Sequence, residues 1–548
     1  MSATPIFEYG PARPHPEYLR WSAIWKKCRD VLAGEEAIKG ADDTYLPKMM
    51  AMNDIEYEGY KTRAMFYGAS HRTLQGLMGA LLRKEPILHL SLWKKYPKES
   101  QEEIRVKEED KLRDTILDML RNVTQTGVDL QAFTRDLVGE TLSVGRVGLL
   151  VDMPPAVDGV DQSPYLRLYR AEHIINWREL YVGGVPMLEQ VILQETVEHA
   201  SVTGFGSDWV VQYRELTFDE NGDYIQNVYM IDPPETDKDE PAIRVIETIK
   251  PKNKGKPLKE LPFFFISSNH MRPEVERPPL LDLFNVNVSH YRSSADLEHG
   301  RHFTALPTPV VSGVEDEDEN GKPTHLRIGS GTAWLLPQGA QARMLEFNGQ
   351  GLKHLENALK EKEQLMVNLG ARMLEQDKRA SETAEALRLR QAGDIASLNV
   401  LADTVGAALT RAIRIMSWWS SLIPSIQDDA IVIVLNKDFF ESSLAPGQIS
   451  ALVSAWQAGA FSFRDLYDNL IRGEIIDAQR DYEDVKKEIE EEVAEKEARA
   501  LEKLQATAEI NASFAQPSEG SAKSGSGNKE KPGLKNDNGN RPRPSKAE

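Results

Sequence analysis

Several stretches of this chain carry residue types that could do chemistry. His299 and His302 stand three apart in EHGRHF, with Glu298 beside the first. That spacing can place two metal ligands on one helical face. No third ligand accompanies them and the H-E-x-x-H arrangement is absent, so they read as a polar helix surface. In EDEDENGK, Asp316, Asp318, Asn320 and Gly321 fall on positions one, three, five and six of a calcium-binding loop. The twelfth position holds Arg327 and Pro323 interrupts the run, so this reads as a solvated hairpin tip. The lone G-S-G of IGSGTAW does not open a helix, which makes it a turn and not a phosphate cradle. There is no Walker A motif and no G-x-S-x-G elbow. The acidic pairs Asp42-Asp43 and Asp428-Asp429 read as caps or turns. The single cysteine, Cys28, lies three residues from Trp25 and reads as a small buried apolar residue. No catalytic residue, metal or cofactor is expected, and the chain is not expected to be an enzyme.

Charge narrows the remaining functions. The 548 residues carry a formal net charge of −19. A domain that grips DNA is usually basic, because phosphate contacts supply most of the affinity. Tight wrapping of DNA is therefore not expected, whereas a conduit should touch DNA without holding it. Basic residues are scattered. Lys378-Arg379 stand out because they lie in a polar loop joining two long helices, where the tip either projects toward a ligand or is simply solvated.

The elements that position these residues follow from periodicity. Apolar residues at three- and four-residue steps predict a helix over 17–33, then helices near 53–66, 69–83 and 101–122. DLQAFTRDLVGETLSVG predicts a helix ending at Gly145, running into a strand at 147–151. From about 164 to 268 the runs are rich in Val, Ile, Tyr and Phe, which predicts a mostly antiparallel sheet with a hairpin turn at Asn221-Gly222. The fold class is therefore α+β.

Beyond Pro279 the chain predicts a helix over 279–303, ~37 Å long at 1.5 Å per residue. Its second half, SSADLEHGRHF, is polar almost all round and needs neighbours or a solvent-bridging role. Short strands follow over 304–349, then a second long helix at 351–375. A polar loop, EQDKRASET, precedes a third helical stretch from Ser381, interrupted only by Gly393 and Gly406. A strand, AIVIVLN, comes next. Pro446-Gly447 opens another helix that Gly459 closes, Ser462 to Asp465 resembles a capping box, and 477–507 is a charged helix. Residues 511–548 cannot bury a core and read as a disordered tail. No basic-then-apolar leader opens the sequence and no ~20-residue apolar run occurs, so a soluble, intracellular chain with no membrane partner is expected.

This order of parts resembles the portal proteins of tailed bacteriophages. RDVLAGEEAIKGADDTYLPK, SVGRVGLLVDMP, PYLRLYRAEHIINWREL and SETAEALRLRQAGDIASLNVLADTVGAAL also resemble one portal family, and the likeness covers about residues 15–500. The resemblance implies an α+β wing at 1–270, a first stem helix at 279–303 and a clip at 304–349. It further implies a second stem helix at 351–375, a tunnel loop at 376–382, a wing-crossing helix and strand at 383–440, and a helical crown at 446–510. It implies a dodecameric homo-oligomeric ring at one capsid vertex of a virion assembled in the bacterial cytoplasm. Double-stranded DNA would pass through the channel during packaging and ejection. The terminase packaging motor and later the head–tail adaptor would dock on the clip, with Glu315, Asp316, Glu317, Asp318 and Lys322 as contact candidates. Major capsid and scaffolding proteins would meet the wing or stem. Lys378, Arg379, Lys360 and Lys362 are the candidates for touching DNA in an otherwise acidic channel. The alternatives are another virion structural protein or a DNA-processing phage enzyme.

Overall fold

A computed structural model describes residues 10–92, 95–96, 98–154, 163–200, 204–232, 242–305, 308–313, 336, 338–345, 350–370, 384–427, 429–437, 439, 446–473, 475–476, 480 and 482–514. The fold is α+β and falls into two units, Met1–Glu441 and Ser442–Glu548.

The first unit opens with α1 (Pro16–Ala33), α2 (Glu35–Gly40), α3 (Asp54–Arg63) and α4 (Ala69–Leu81). Trp25, Cys28 and Val31 supply the buried face of α1, as their spacing predicts. Asn53 and Glu56 close a reciprocal capping box that starts α3. After the short strand β1 (Ile87–Leu90) come α5 (Glu102–Leu120) and α6 (Leu130–Val144). Asp129 caps α6, and Gly145 ends it in the left-handed region at φ +74°.

The β-rich stretch contains β2 (Val147–Asp152), β3 (Tyr165–Arg170), β4 (Ile174–Val182), β5 (Val185–Ala200), β6 (Ser207–Phe218), β7 (Tyr224–Asp232), β8 (Ala242–Ile249), β9 (Lys252–Asn253), β10 (Lys256–Pro257) and β11 (Phe263–Ile266). It forms separate sheets. β11, β2 and β3 make a three-stranded antiparallel sheet whose central strand is buried at all six positions. β4 to β8 make a five-stranded antiparallel meander, and Gly222 turns its β6–β7 hairpin at φ +70°. A single 3₁₀ turn, Ala171–His173, takes the chain from one sheet to the other.

Polar side chains bond the two sheets together. Arg214 Nε donates to Glu195 Oε1 at 2.9 Å and its Nη1 donates to Gln226 Oε1 at 2.6 Å. Gln226 Nε2 donates to Asp152 Oδ1 at 2.7 Å, and the hydroxyls of Tyr169 and Tyr165 donate to Glu195 and Asp152 at 2.5 and 2.9 Å. Asp152, Tyr169, Glu195, Arg214 and Gln226 are all buried.

The rest of the unit is α7 (Leu281–Ala305), β12 (Thr308–Ser312), β13 (Gln341–Leu345), α8 (Gln350–Gly370), α9 (Ala384–Trp419) and β14 (Ile431–Val434). α9 runs unbroken through Gly393 and Gly406. Gly406 has a packing reason: a Cβ there would sit 3.1 Å from the Ile433 carbonyl oxygen, so glycine lets α9 lie against β14. β14 pairs antiparallel with β1, Ile87 opposite Val434, which ties residues far apart in the chain. Leu401, Val405, Leu409, Ile413 and Met416 of α9 join the same core as Trp25, Phe133 and Leu149.

Arg146, directly after the α6 cap, is 1% exposed and has no acidic partner among the described residues. Its guanidinium carbon lies 4.2 Å from the ring centres of both Trp177 and Phe265, and Nη1 donates to the carbonyls of Pro273 and Glu274 at 2.5 and 3.3 Å. A planar cation fits between two rings where a lysine ammonium does not. Arg146→Lys should therefore lower the unfolding free energy by about 2 kcal/mol. Arg146→Met should cost less, since it removes the buried charge and keeps a chain between the rings. Urea titrations of the two variants check that order.

The second unit contains α10 (Pro446–Gln457), α11 (Phe463–Arg472) and α12 (Tyr482–Phe514). Ser462 and Asp465 form the capping box that their spacing predicts. Trp456 meets Phe463, Phe463 meets Tyr482 and Tyr482 meets Tyr467, with ring centres 5.4 to 5.9 Å apart. α12 continues through Phe514. The tail predicted from 511 onward therefore starts too early, because Ile510, Ala512 and Phe514 keep enough helical and apolar character to extend the preceding helix. Residues 515–548 lie outside the described residues.

Candidate functional site

The segment most informative for function is the excursion from α7 to α8. α7 and α8 are antiparallel: Arg301 pairs with Glu356 at 2.9 Å, while His290, about three turns earlier, meets Glu363 at 3.4 Å. Gly300 makes room for the contact, since a Cβ there would lie 2.5 Å from Leu352 Cδ2. Between the helices, β12 and β13 pair antiparallel with Thr308 opposite Leu345. The chain thus leaves the body on one helix, turns through a strand pair and returns on another.

Polar side chains along α7 find partners within the chain. Tyr60 donates to Asp296 at 2.6 Å, Arg292 Nε donates to the Tyr45 carbonyl at 2.7 Å, and Asn287 Nδ2 donates to Ser70 Oγ at 2.8 Å. Arg63 lies 3.2 Å from His299, whose ring also meets Tyr60 and Phe303 edge-on. Ser294 and Ala295 are fully packed. The neighbours that the polar second half of α7 needs come from α3: Asp296 meets Tyr60 and His299 meets Arg63. Arg301, His302 and Phe303 in the last turn are exposed.

Of the four predicted DNA-facing residues, two are described. Lys360 is exposed on the outer face of α8, in line with Lys353, Asn357 and Gln364. Lys362 points the other way. Its Nζ donates to the Ser289 carbonyl at 3.0 Å and to Ser293 Oγ at 2.6 Å, and burial pushes its pKa down. The structure does not bring these two lysines together. Lys378 and Arg379, and the clip candidates Glu315, Asp316, Glu317, Asp318 and Lys322, lie outside the described residues.

No group of three or more His, Cys, Asp or Glu side chains that could hold a metal occurs among the described residues. His299 and His302 carry ring contacts instead, and burial pushes His299 down in pKa. Cys28 is buried, which raises its thiol to about 12, so the thiolate needed for nucleophilic attack is not populated. A cavity of about 600 Å³ is lined by Arg135, Asp136, Glu140, Ser143, Tyr165 and Arg167 among others. Ser143 Oγ is committed to the Gly139 carbonyl at 2.5 Å, and no histidine or cysteine lines the cavity to serve as a base or nucleophile. No helix among the described residues is long and apolar enough to cross a membrane.

Sequence reasoning missed Arg146, Glu195 and Arg214 as buried charges. Each sits in a strand-like or turn context where a charged residue reads as solvent-facing, and only the packing of separate strands encloses them.

Residues 279–420, from the approach to α7 through the end of α9, match the family described as Domain of unknown function (DUF4055). No curated protein matches the chain. Among solved structures, a chain of the neck of an empty gene transfer agent particle, computed with C6 symmetry, is 12% identical with a TM-score of 0.34, over 81% of this chain and 99% of that one. A chain of the native particle's neck, computed with C12 symmetry, is 13% identical with a TM-score of 0.33, over 74% and 90%. A chain of the native virion is 12% identical with a TM-score of 0.32, over 76% and 91%.

Proposed function

We propose that this chain is a virion structural protein: the subunit of a portal ring at one capsid vertex, through which double-stranded DNA is packaged and ejected. One observation carries the reading. α7 leaves an α+β body, β12 and β13 turn the chain, α8 returns antiparallel to α7, and α9 crosses back through the core of the body. That is the order of stem, clip, stem and wing-crossing helix in the portal proteins the sequence resembles. In this reading residues 1–270 and 383–440 are the wing, and α7 and α8 the stem. Residues 304–349 are the clip that docks the terminase motor and then the head–tail adaptor, 376–382 the tunnel loop, and α10 to α12 belong to the crown. The wing or stem meets capsid and scaffolding proteins during assembly in the bacterial cytoplasm. Each subunit must present two different patches to its neighbours, because a closed ring is built from heterologous contacts.

Negative-stain imaging and native mass spectrometry of the purified chain test this directly. Closed rings with a central hole, about twelve subunits each, are expected. Monomers or open tubes at micromolar concentration would sink the proposal.

A further inference from the structure

We infer that the lysine hairpin over residues 250–259 is a contact for the phosphate backbone of DNA. Lys250, Lys252, Lys254, Lys256 and Lys259 crowd into ten residues of a chain whose net charge is −19. β9 and β10 pair there, with Lys256 opposite Asn253 and Pro257 opposite Lys252. The two-residue turn between them places Lys254 at φ +47° and Gly255 at φ +84°. Such a primed turn favours Asn, Asp or Gly at its first position, and a lysine there strains its Cβ. The hairpin keeps a cation at its tip where an asparagine would fit the backbone better.

The tip is held from below. Asn253 Nδ2 donates to the Trp418 carbonyl at the end of α9, and Ser421 Oγ donates to Asn253 Oδ1 at 2.9 Å. The outer lysines are spent on the neighbouring β6–β7 turn: Lys250 pairs with Asp219 at 3.5 Å, and Lys259 pairs with Asp223 and donates to the Asn221 carbonyl at 2.9 Å. Lys252, Lys254 and Lys256 are exposed and make no ion pair among the described residues. Three unpaired lysines thus stand on one hairpin: Lys254 at the turn, and Lys252 and Lys256 on opposite faces, because their cross-strand partners are Pro257 and Asn253. DNA presents a charge every ~3.4 Å along each strand, so a tip carrying three unpaired cations meets phosphates wherever it touches the duplex. Protein interfaces are depleted in lysine and enriched in aromatic residues and arginine, which makes this tip a poor protein-docking surface. The choice of DNA among polyphosphates rests on the portal reading above.

The test uses the full-length chain and a labelled duplex of random sequence, with binding followed by fluorescence anisotropy from about 50 to about 200 mM salt. The triple variant Lys252→Gln, Lys254→Gln, Lys256→Gln should bind at least tenfold more weakly at the low end. The slope of log K against log salt should flatten by about 0.9 for each lysine removed. Lys254→Asn relieves the turn, so its melting temperature should hold or rise while its affinity falls several-fold. Unchanged affinity and slope in the triple variant, or no binding by the wild-type chain, overturns the inference. Displacement of the duplex by poly-glutamate at equal charge also overturns it, in favour of an acidic protein partner. Imaging the same samples separates the two proposals. Rings with hairpin-independent DNA binding sink this inference alone, and hairpin-dependent binding without rings sinks the ring alone.

Discussion

Arg214→Met is expected to lower the unfolding free energy by about 3–5 kcal/mol, because it leaves Glu195 and Asp152 buried beside each other with their main cation gone. The two acids are 3% exposed and Arg214 is 9% exposed, so water cannot replace the lost partner. Urea unfolding at neutral pH measures the loss, and a change below about 1 kcal/mol would show that the network relaxes without cost. The same network sets a pH dependence. Burial works to raise the Glu195 pKa, but the charge and hydrogen bonds of Arg214, with help from Arg167 and Tyr169, outweigh it and hold Glu195 below its ordinary value. A carboxylate depressed in the folded state adds stability that is present above its unfolded pKa of about 4.3 and drains as pH falls through the lower folded value. Acidification through about pH 4 should therefore weaken the wild-type chain. Glu195→Gln should be weaker at neutral pH, and its stability should vary less over that acid range.

Phe284→Ala should cost about 3–5 kcal/mol, the usual range for a fully buried phenylalanine. Phe284 is 0% exposed in the first turns of α7, in the same core as Leu281, Val288 and Tyr291. Further along α7, Asn287, Arg292 and Asp296 make polar contacts that depend on the helix staying seated. Loss of the anchor should therefore loosen α7 as a unit. Chemical denaturation reads the stability. Hydrogen exchange over 281–305 reads the seating, and faster exchange confined to α7 is expected before global unfolding. If protection across α7 stays at the wild-type level, the helix is held by its polar contacts and not by Phe284.

Much of the element order was legible because local signals agree with the fold. Trp25, Cys28 and Val31 declare the buried face of α1, Gly145 stops α6, Asn221-Gly222 turns a hairpin, and Ser462 with Asp465 caps α11. Each is decided by residues within a few positions of one another.

What the sequence left open concerns groups brought together from far along the chain. β1 pairs with β14 across more than three hundred residues, and Gly406 acquires its role only when β14 lies under α9. Arg146, Glu195 and Arg214 read as ordinary charged residues until separate strands and loops close over them. The polar half of α7 showed a need for neighbours, and only the fold shows that they are Tyr60 and Arg63 of α3. Lys360 and Lys362 are two residues apart, and the helix turns them about 200° from each other, so one faces solvent and the other faces α7. Basic residues read as scattered although five lysines fall within 250–259, and which three of them are unpaired depends on where the β6–β7 turn places its two aspartates. Periodicity and caps are properties of neighbouring residues. Burial, pairing and the free charge of a cation belong to the assembled core, and these only the tertiary structure decides.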